Sequence, residues 1–178
     1  MSAHAYSSEQ LYFNEDHQML RKTMSDFVKN EINPNMDRWE EETVHLHDLF
    51  KKMGDLGLLG IRYDPKYGGQ GLDYWFETVF LEEMGHIKGF GVPTAIAVQT
   101  NMATPAINQF GSEYLKDTYL RGAITGDLVA AIAISEPEAG SDVAALKTKA
   151  VKEGDSYVIN GSKTYITNGT QADFMTLL

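Results

Sequence analysis

The residues best suited to chemistry fall in two short stretches of the second half of the chain. The first runs Ile132-Ala133-Ile134-Ser135-Glu136-Pro137-Glu138-Ala139-Gly140-Ser141, followed at once by Asp142. An apolar run ends in a hydroxyl, then Glu-Pro, then Ala-Gly-Ser-Asp. A buried strand therefore stops abruptly and gives way to a tight loop rich in hydroxyls and backbone amides. Such a loop can grip the polar edge of a ligand. The second stretch, Asn160-Gly161-Ser162-Lys163-Thr164-Tyr165-Ile166-Thr167-Asn168-Gly169, contains the Asn-Gly pair favoured in two-residue hairpins. A strand following that turn would carry Tyr165 and Thr167 on one face. By residue type alone, Ser135 is equally well explained as a strand-end hydroxyl bonded to local backbone, and Tyr165 as an ordinary core or surface aromatic.

The elements that must position these stretches can be followed along the chain. Met1 to Phe13 is polar and reads as an arm. From Asn14, an N-cap, Leu20, Met24, Phe27, Val28 and Ile32 fall at helical spacing until Pro34, which the pattern predicts to close the run. An acidic linker around Trp39 to Glu42 precedes a second helix marked by Leu46, Leu49, Phe50 and Met53, ending near Gly54 to Gly57. Tyr63 to Leu72 is a loop. Asp73 caps a third helix with Phe76, Val79, Phe80, Met84 and Ile87 on one face. Val92 to Phe110 is apolar and small, suiting a helix buried on several sides, with Pro93 near its start and Pro105 interrupting it. Ser112 caps a further helix that Gly126 stops. At about Asp127 the period changes. Val129 to Ser135 reads as a buried strand, Thr148 to Lys152 alternates, and Ser156 to Asn160 is predicted to pair with Lys163 to Thr167. Phe174 to Leu178 looks like a strand still in progress, so the chain is expected to be the N-terminal part of a longer protein.

Composition narrows the functional classes. Fifteen basic against twenty-five acidic residues give a net charge of -10, which repels a phosphate backbone, so no nucleic-acid partner is expected. The absence of cysteine removes disulfides, thiolate nucleophiles and cysteine-based metal sites, leaving redox chemistry to a cofactor. No apolar run approaches the ~20 residues that span a bilayer, and the first twenty residues hold no apolar signal core. His45 and His47, two apart within a predicted helix, diverge and have no third ligand, so no metal is expected. Tyr67-Gly68-Gly69-Gln70-Gly71 lacks both dinucleotide and P-loop spacing and reads as a shaped loop. Glu82 and Glu83 read as a solvated helix face.

The two stretches together resemble the flavin-binding signature of the acyl-CoA dehydrogenase family. Residues 132 to 142 fit its strand, Ser-Glu-Pro and Ala-Gly-Ser-Asp pattern, and Asn160 to Gly169 fits Asn-Gly-x-Lys-x-aromatic-Ile-Thr-Asn-Gly. The resemblance extends upstream through Gly57-Leu58-Leu59-Gly60-Ile61, Tyr67-Gly68-Gly69-Gln70-Gly71 and Gly111-Ser112-Glu113. It implies an α+β fold: an all-α N-terminal domain, residues 1-126, then the start of an antiparallel, barrel-like middle β domain, residues 127-178, without the family's C-terminal helical bundle. It also implies FAD as cofactor, a fatty acyl-CoA substrate and α,β-dehydrogenation to trans-2-enoyl-CoA. The expected cofactor-binding residues are Ile132, Ala133, Ile134, Ser135, Gly140, Ser141, Tyr165, Ile166 and Thr167. Of these, the resemblance implies that Tyr165 packs on the flavin ring and that Thr167 bonds its N5.

On the same ground Ser141 touches the pantetheine arm of the substrate, and Pro93 and Ala97 line the far end of the acyl pocket. Pro93 and Ala97 leave space for a long or branched acyl group, and Asp37-Arg38-Trp39-Glu40 also resembles long-chain members. The family's catalytic base is a glutamate of the C-terminal domain, so no catalytic residue is named and residues 1 to 178 alone are expected to be inactive. The resemblance further implies reoxidation by an electron-transfer flavoprotein, a homo-oligomer (tetramer or dimer), and a bacterial cytoplasmic or mitochondrial matrix location in fatty-acid β-oxidation. Two alternatives stand beside it: an acyl-CoA oxidase or flavin-dependent monooxygenase on the same scaffold, and a non-catalytic acyl-CoA or flavin binding module.

Overall fold

A computed structural model describes residues 12–42 and 44–178; most of the expected N-terminal arm lies outside them. Helix α1, Glu15–Phe27, starts where the Asn14 side chain accepts the His17 amide at 3.1 Å, which satisfies one of the donors a helix start leaves free. It buries Met24 and Phe27. Pro34 does not close this run. The chain continues through a wide π-type turn, Val28–Ile32, and a 3₁₀ turn, Asn33–Asn35, into α2, Met36–Glu41. Pro34 occupies the opening positions of the 3₁₀ turn, where a missing N–H removes no bond. The residues expected to be an acidic linker are thus largely helical.

Helix α3, His47–Asp55, buries Leu49, Phe50 and Met53. Its end is pressed against the turn before the first strand: a Cβ on Gly54 would lie 2.1 Å from the Thr125 carbonyl oxygen. Helix α4, Tyr74–Met84, is capped by Asp73 as expected, with the Trp75 amide 2.9 Å from Oδ1. Glu83 corrects the reading of a solvated face. Its side chain is 6% exposed and receives Arg21 Nη1 at 3.0 Å, while Nη2 reaches the half-exposed Glu82 at 2.6 Å. Helices α1 and α4 pack side by side, and the guanidinium fork of Arg21 spans two neighbouring carboxylates across that contact.

The apolar run from residue 92 divides into α5, Gly91–Ala97, a π-type turn, Val98–Ala103, and α6, Thr104–Phe110. Pro105 falls in the first turn of α6, so the wide turn absorbs the interruption that its side chain would cause. The short helices α7, Glu113–Leu115, and α8, Arg121–Ile124, flank another π-type turn. Ser112 caps α7 through the Leu115 amide, and Gly126 (φ +72°) ends the helical region. One core joins Phe27, Phe50, Phe80 and Ile96.

The strands are β1, Ala130–Ala133; β2, Lys149–Glu153; β3, Ser156–Asn160; and β4, Phe174–Leu177. Strands β2 and β3 form an antiparallel hairpin, but β1 and β4 pair in parallel, Ala130 opposite Phe174. The expected pairing of Ser156–Asn160 with Lys163–Thr167 does not occur. The hairpin turn is Gly154-Asp155, with Gly154 at φ +61°. Gly161 instead permits close approach, since a Cβ there would lie 2.3 Å from Thr148 Oγ1. No helix of the described residues is long and apolar enough to cross a membrane.

Candidate functional site

The two signature stretches are joined to each other beyond the end of β1. The Thr164 amide donates to the Ser135 carbonyl at 2.9 Å, and Lys163 Nζ donates to the Ile134 carbonyl at 2.8 Å and to Glu136 Oε1 at 2.9 Å. This engagement is why Lys163 to Thr167 leave the expected hairpin: Lys163 and Thr164 are bonded to the first stretch rather than to β3. Side chains of Lys163 and Glu136 are only 10% and 6% exposed. Glu136 also accepts the Lys147 amide at 2.7 Å, the Thr148 amide at 2.9 Å and the Thr148 hydroxyl at 2.5 Å. Its carboxyl is held down to about 2, first by the Thr148 hydroxyl, then by the Lys147 amide and the Lys163 ammonium. Reciprocal bonds between Glu136 and Ala139, 2.8 and 3.2 Å, close the turn over Pro137. Gly140 and Ser141 consequently project into solvent.

Around this clamp the candidate residues take distinct positions. Ile132 and Ala133 lie in β1, half-buried and buried; Ile134 and Ser135 follow it, both half-buried. Ile166 and Thr167 are half-buried in a turn rather than a strand. Tyr165 is 94% exposed and has φ +55°. Tyr165 and Thr167 therefore do not share a strand face. A bulky aromatic at positive φ is an outlier whose strain, about 1–3 kcal/mol, is sustained by surrounding bonds and tends to mark working sites. Pro93 and Ala97 are half-buried on α5. A shallow cleft of about 270 Å³ brings Thr167 and Asn168 against Gly91, Val92 and Ala95. The structure thus bonds residues 134–136 to 163–164 and, through Asn168, ties the following turn to α5 and β1, while Pro93, Ala97 and residues 132–135 do not line this cleft and Ser141 lies on the loop beyond.

Sequence reasoning missed three side-chain amides that hold this region together. Asn168, buried and at φ +64°, donates from Nδ2 to the carbonyls of Ala95 and Ala130, each at 3.0 Å. Its Oδ1 accepts Gln171 Nε2 at 3.0 Å, and Gln171 Oε1 accepts the Leu46 amide at 2.6 Å. Gln99, 1% exposed, donates to the carbonyls of Ala123 and Leu128 at 3.0 and 2.9 Å and accepts the Ala130 amide at 2.8 Å. Gln99 is one of four side-chain amides between Val92 and Phe110, and nothing in the sequence singles it out as the buried one. His45 and His47 are likewise placed differently: His45 precedes α3, His47 begins it and lies 3.4 Å from Asp173. Among the described residues there is no cluster able to hold a metal ion.

Comparison with known proteins places this arrangement. The family model described as acyl-CoA dehydrogenase, N-terminal domain, matches residues 14–127, and that described as acyl-CoA dehydrogenase, middle domain, matches residues 131–178. The chain is 37% identical to isovaleryl-CoA dehydrogenase of Bos taurus over 91% of its own length and 38% of the relative's. It is 36% identical to an acyl-CoA dehydrogenase of Bacillus subtilis over 92% of its length and 43% of the relative's. A solved acyl-CoA dehydrogenase from Geobacillus kaustophilus superposes with a TM-score of 0.87 at 38% identity, covering 93% of this chain and 43% of that one. The chain spans roughly two fifths of the length of these relatives. With both domain models matched in order and the two signature stretches clamped together, the chain belongs to the acyl-CoA dehydrogenase family.

Proposed function

We propose that an enzyme containing these residues is an FAD-dependent acyl-CoA dehydrogenase, converting a fatty acyl thioester to its trans-2-enoyl form, and that residues 132–167 with α5 form its cofactor edge and one wall of its acyl pocket. The observation that carries this reading is the clamp between the two stretches. It sets the Ser135 and Thr167 segments on either side of the Thr164 amide bond. The chemistry of the groups left open fits a flavin: Tyr165 offers a ring that the chain leaves uncovered, and Ser135 and Thr167 offer half-buried hydroxyls for a polar ring edge. A related solved structure from Bacillus anthracis, 33% identical with a TM-score of 0.87, is described as complexed with FAD.

When bound, FAD supplies the electron sink that takes up the β-hydrogen as hydride. The chain's own residues orient and insulate. Backbone at Ile132 to Ser135 and the Ser135 hydroxyl would take the polar edge of the ring, with Gly140 allowing the loop to approach. Thr167 Oγ1 would donate to flavin N5, where negative charge is favoured by a fixed donor. Tyr165, next to Ile166, would lie against the ring and keep water from it. Ser141 would meet the pantetheine arm, and the proton-abstracting base would come from outside these residues. An electron-transfer flavoprotein is the proposed oxidant of the reduced enzyme, acting on a homo-oligomer in a fatty-acid degrading route.

Relatives include isovaleryl-CoA and short-chain-specific dehydrogenases, so the acyl group must be argued from the pocket. Pro93 and Ala97 are small side chains on α5, which supports long or branched acyl groups over butyryl. Purified full-length enzyme is expected to be yellow, to release FAD on denaturation, and to show kcat/KM rising from butyryl through octanoyl to dodecanoyl thioesters before levelling, each buried methylene adding at most ~0.8 kcal/mol. A maximum at butyryl refutes the pocket argument. Absence of bound FAD refutes the flavin reading, and rapid oxygen consumption without an added acceptor favours the oxidase alternative.

A further inference from the structure

Resting on that reading, we infer that Asn168 is a positioning residue for acyl-length selection: its side-chain amide fixes helix α5 against the Thr167 segment and so sets where the acyl pocket ends. The orientation of each amide in the relay follows from groups that can act in only one sense. The Leu46 backbone N–H can only donate, so the Gln171 atom 2.6 Å from it is the acceptor Oε1. Gln171 Nε2 is then the donor toward Asn168, which makes the receiving atom Oδ1. Asn168 Nδ2 therefore points at two atoms that can only accept, the carbonyls of Ala95 and Ala130, each 3.0 Å away. Both of its protons are used and no freedom remains for the amide to flip.

These two acceptors lie on the helix that carries Pro93 and Ala97 and on the strand that leads to the first signature stretch. Ala95 sits between Pro93 and Ala97 on α5, and its carbonyl already accepts the Val98 amide within the helical path. Ala130 opens β1, which leads into Ile134 and Ser135. Asn168 is the residue next to Thr167, at φ +64°, a region asparagine tolerates better than most side chains. One side chain thus measures the distance from the Thr167 backbone to the acyl-pocket helix and to the cofactor strand. Aspartate cannot substitute, because an ionised carboxylate would face two carbonyl oxygens with no proton to offer. Residues at this contact are buried, and α5 has no other side-chain bond to the 160s segment among the described residues.

The test uses the full-length, FAD-loaded enzyme and two variants. Asn168→Gly keeps the positive φ without strain and removes the amide with its Cβ. Gln171→Leu leaves Asn168 in place but releases its orientation. Binding of dodecyl-CoA and butyryl-sized alkyl-CoA thioethers, which lack the carbonyl needed for reaction, is measured by calorimetry alongside kcat/KM for the matching acyl-CoA pair. The expected result is that the long-to-short ratio of both quantities falls at least about fourfold in Asn168→Gly, the discrimination one buried methylene supplies. Gln171→Leu is expected to move the ratio the same way by a smaller factor. Equal losses for both chain lengths in the folded variants would mean a general structural role and overturn the inference. Should Asn168→Gly fail to fold, the ratio in Gln171→Leu decides. Failure of the proposed function is separately visible, since wild-type enzyme would then carry no flavin and turn over neither substrate.

Discussion

Replacing Gln99 by leucine tests whether the helical layer and β1 are held together by polar bonds rather than by apolar packing alone. The side chain is 1% exposed, and leucine nearly matches its volume, so cavity formation contributes little. What is removed is specific: two bonds to the Ala123 and Leu128 carbonyls and one from the Ala130 amide. Ala130 is fully buried, so its N–H has no route to water and carries a desolvation penalty of about 2 kcal/mol. The two carbonyls each retain a second lone pair and lose about 1 kcal/mol apiece. The expected destabilisation is therefore about 4 kcal/mol, large enough to be visible in a single urea titration of the 178-residue chain at pH 7. Gln99→Glu gives the matching control, because its carboxylate would face two carbonyls and should be worse than leucine. A loss below about 1 kcal/mol for Gln99→Leu, with an unchanged denaturant slope, would show that the amide adds little beyond its shape.

Two further outcomes follow from the clamp. The Glu136 carboxyl is depressed to about 2 against an ordinary 4.5, so its ionised form stabilises the fold above pH 4.5 and that contribution disappears as pH falls through 2. Glu136→Gln should accordingly unfold more easily than wild type at pH 6 and converge with it toward pH 2; a gap independent of pH would contradict this assignment. In the full-length enzyme, Thr167→Val preserves the branched shape and removes the hydroxyl, so flavin reduction by substrate should slow by ~1 to 3 kcal/mol in barrier while substrate affinity changes less. Stopped-flow reduction at the wild-type rate would exclude Thr167 as the donor.

The helices were legible in the sequence where local chemistry decides them. Asn14, Asp73 and Ser112 cap helices as their side chains suggest, and Gly126 stops the helical region with its positive φ. Pro105 breaks its run as expected, whereas Pro34 does not end the helical path, because it lies in the opening turn of a new segment that needs no N–H. The Asn160-Gly161 pair misled for a different reason. Local turn preference pointed to a hairpin, but Lys163 gains a buried carboxylate and the Ile134 carbonyl by turning toward Glu136, an attraction between residues 27 positions apart that no short window contains. The signature residues were legible by type, their backbone geometry was not. Tyr165 at positive φ and Asn168 with both amide protons committed depend on contacts made by β1 and α5, which only the folded arrangement supplies.

The parallel pairing of β1 with β4 also dictates an order of events during synthesis. Val129 donates its amide to Asp173, 44 residues later in the chain, and the buried Ala130 carbonyl waits for Asn168. A ribosome adding about 5–20 residues per second needs about 2–9 s to cover that interval. Through those seconds the helices can collapse around Phe50 and Phe80, but the alanine strand that closes their open side lacks its neighbour. The nascent chain therefore presents an unpaired strand edge for a defined time, which makes this stretch the natural place for a chaperone to bind and for a translational pause to do harm.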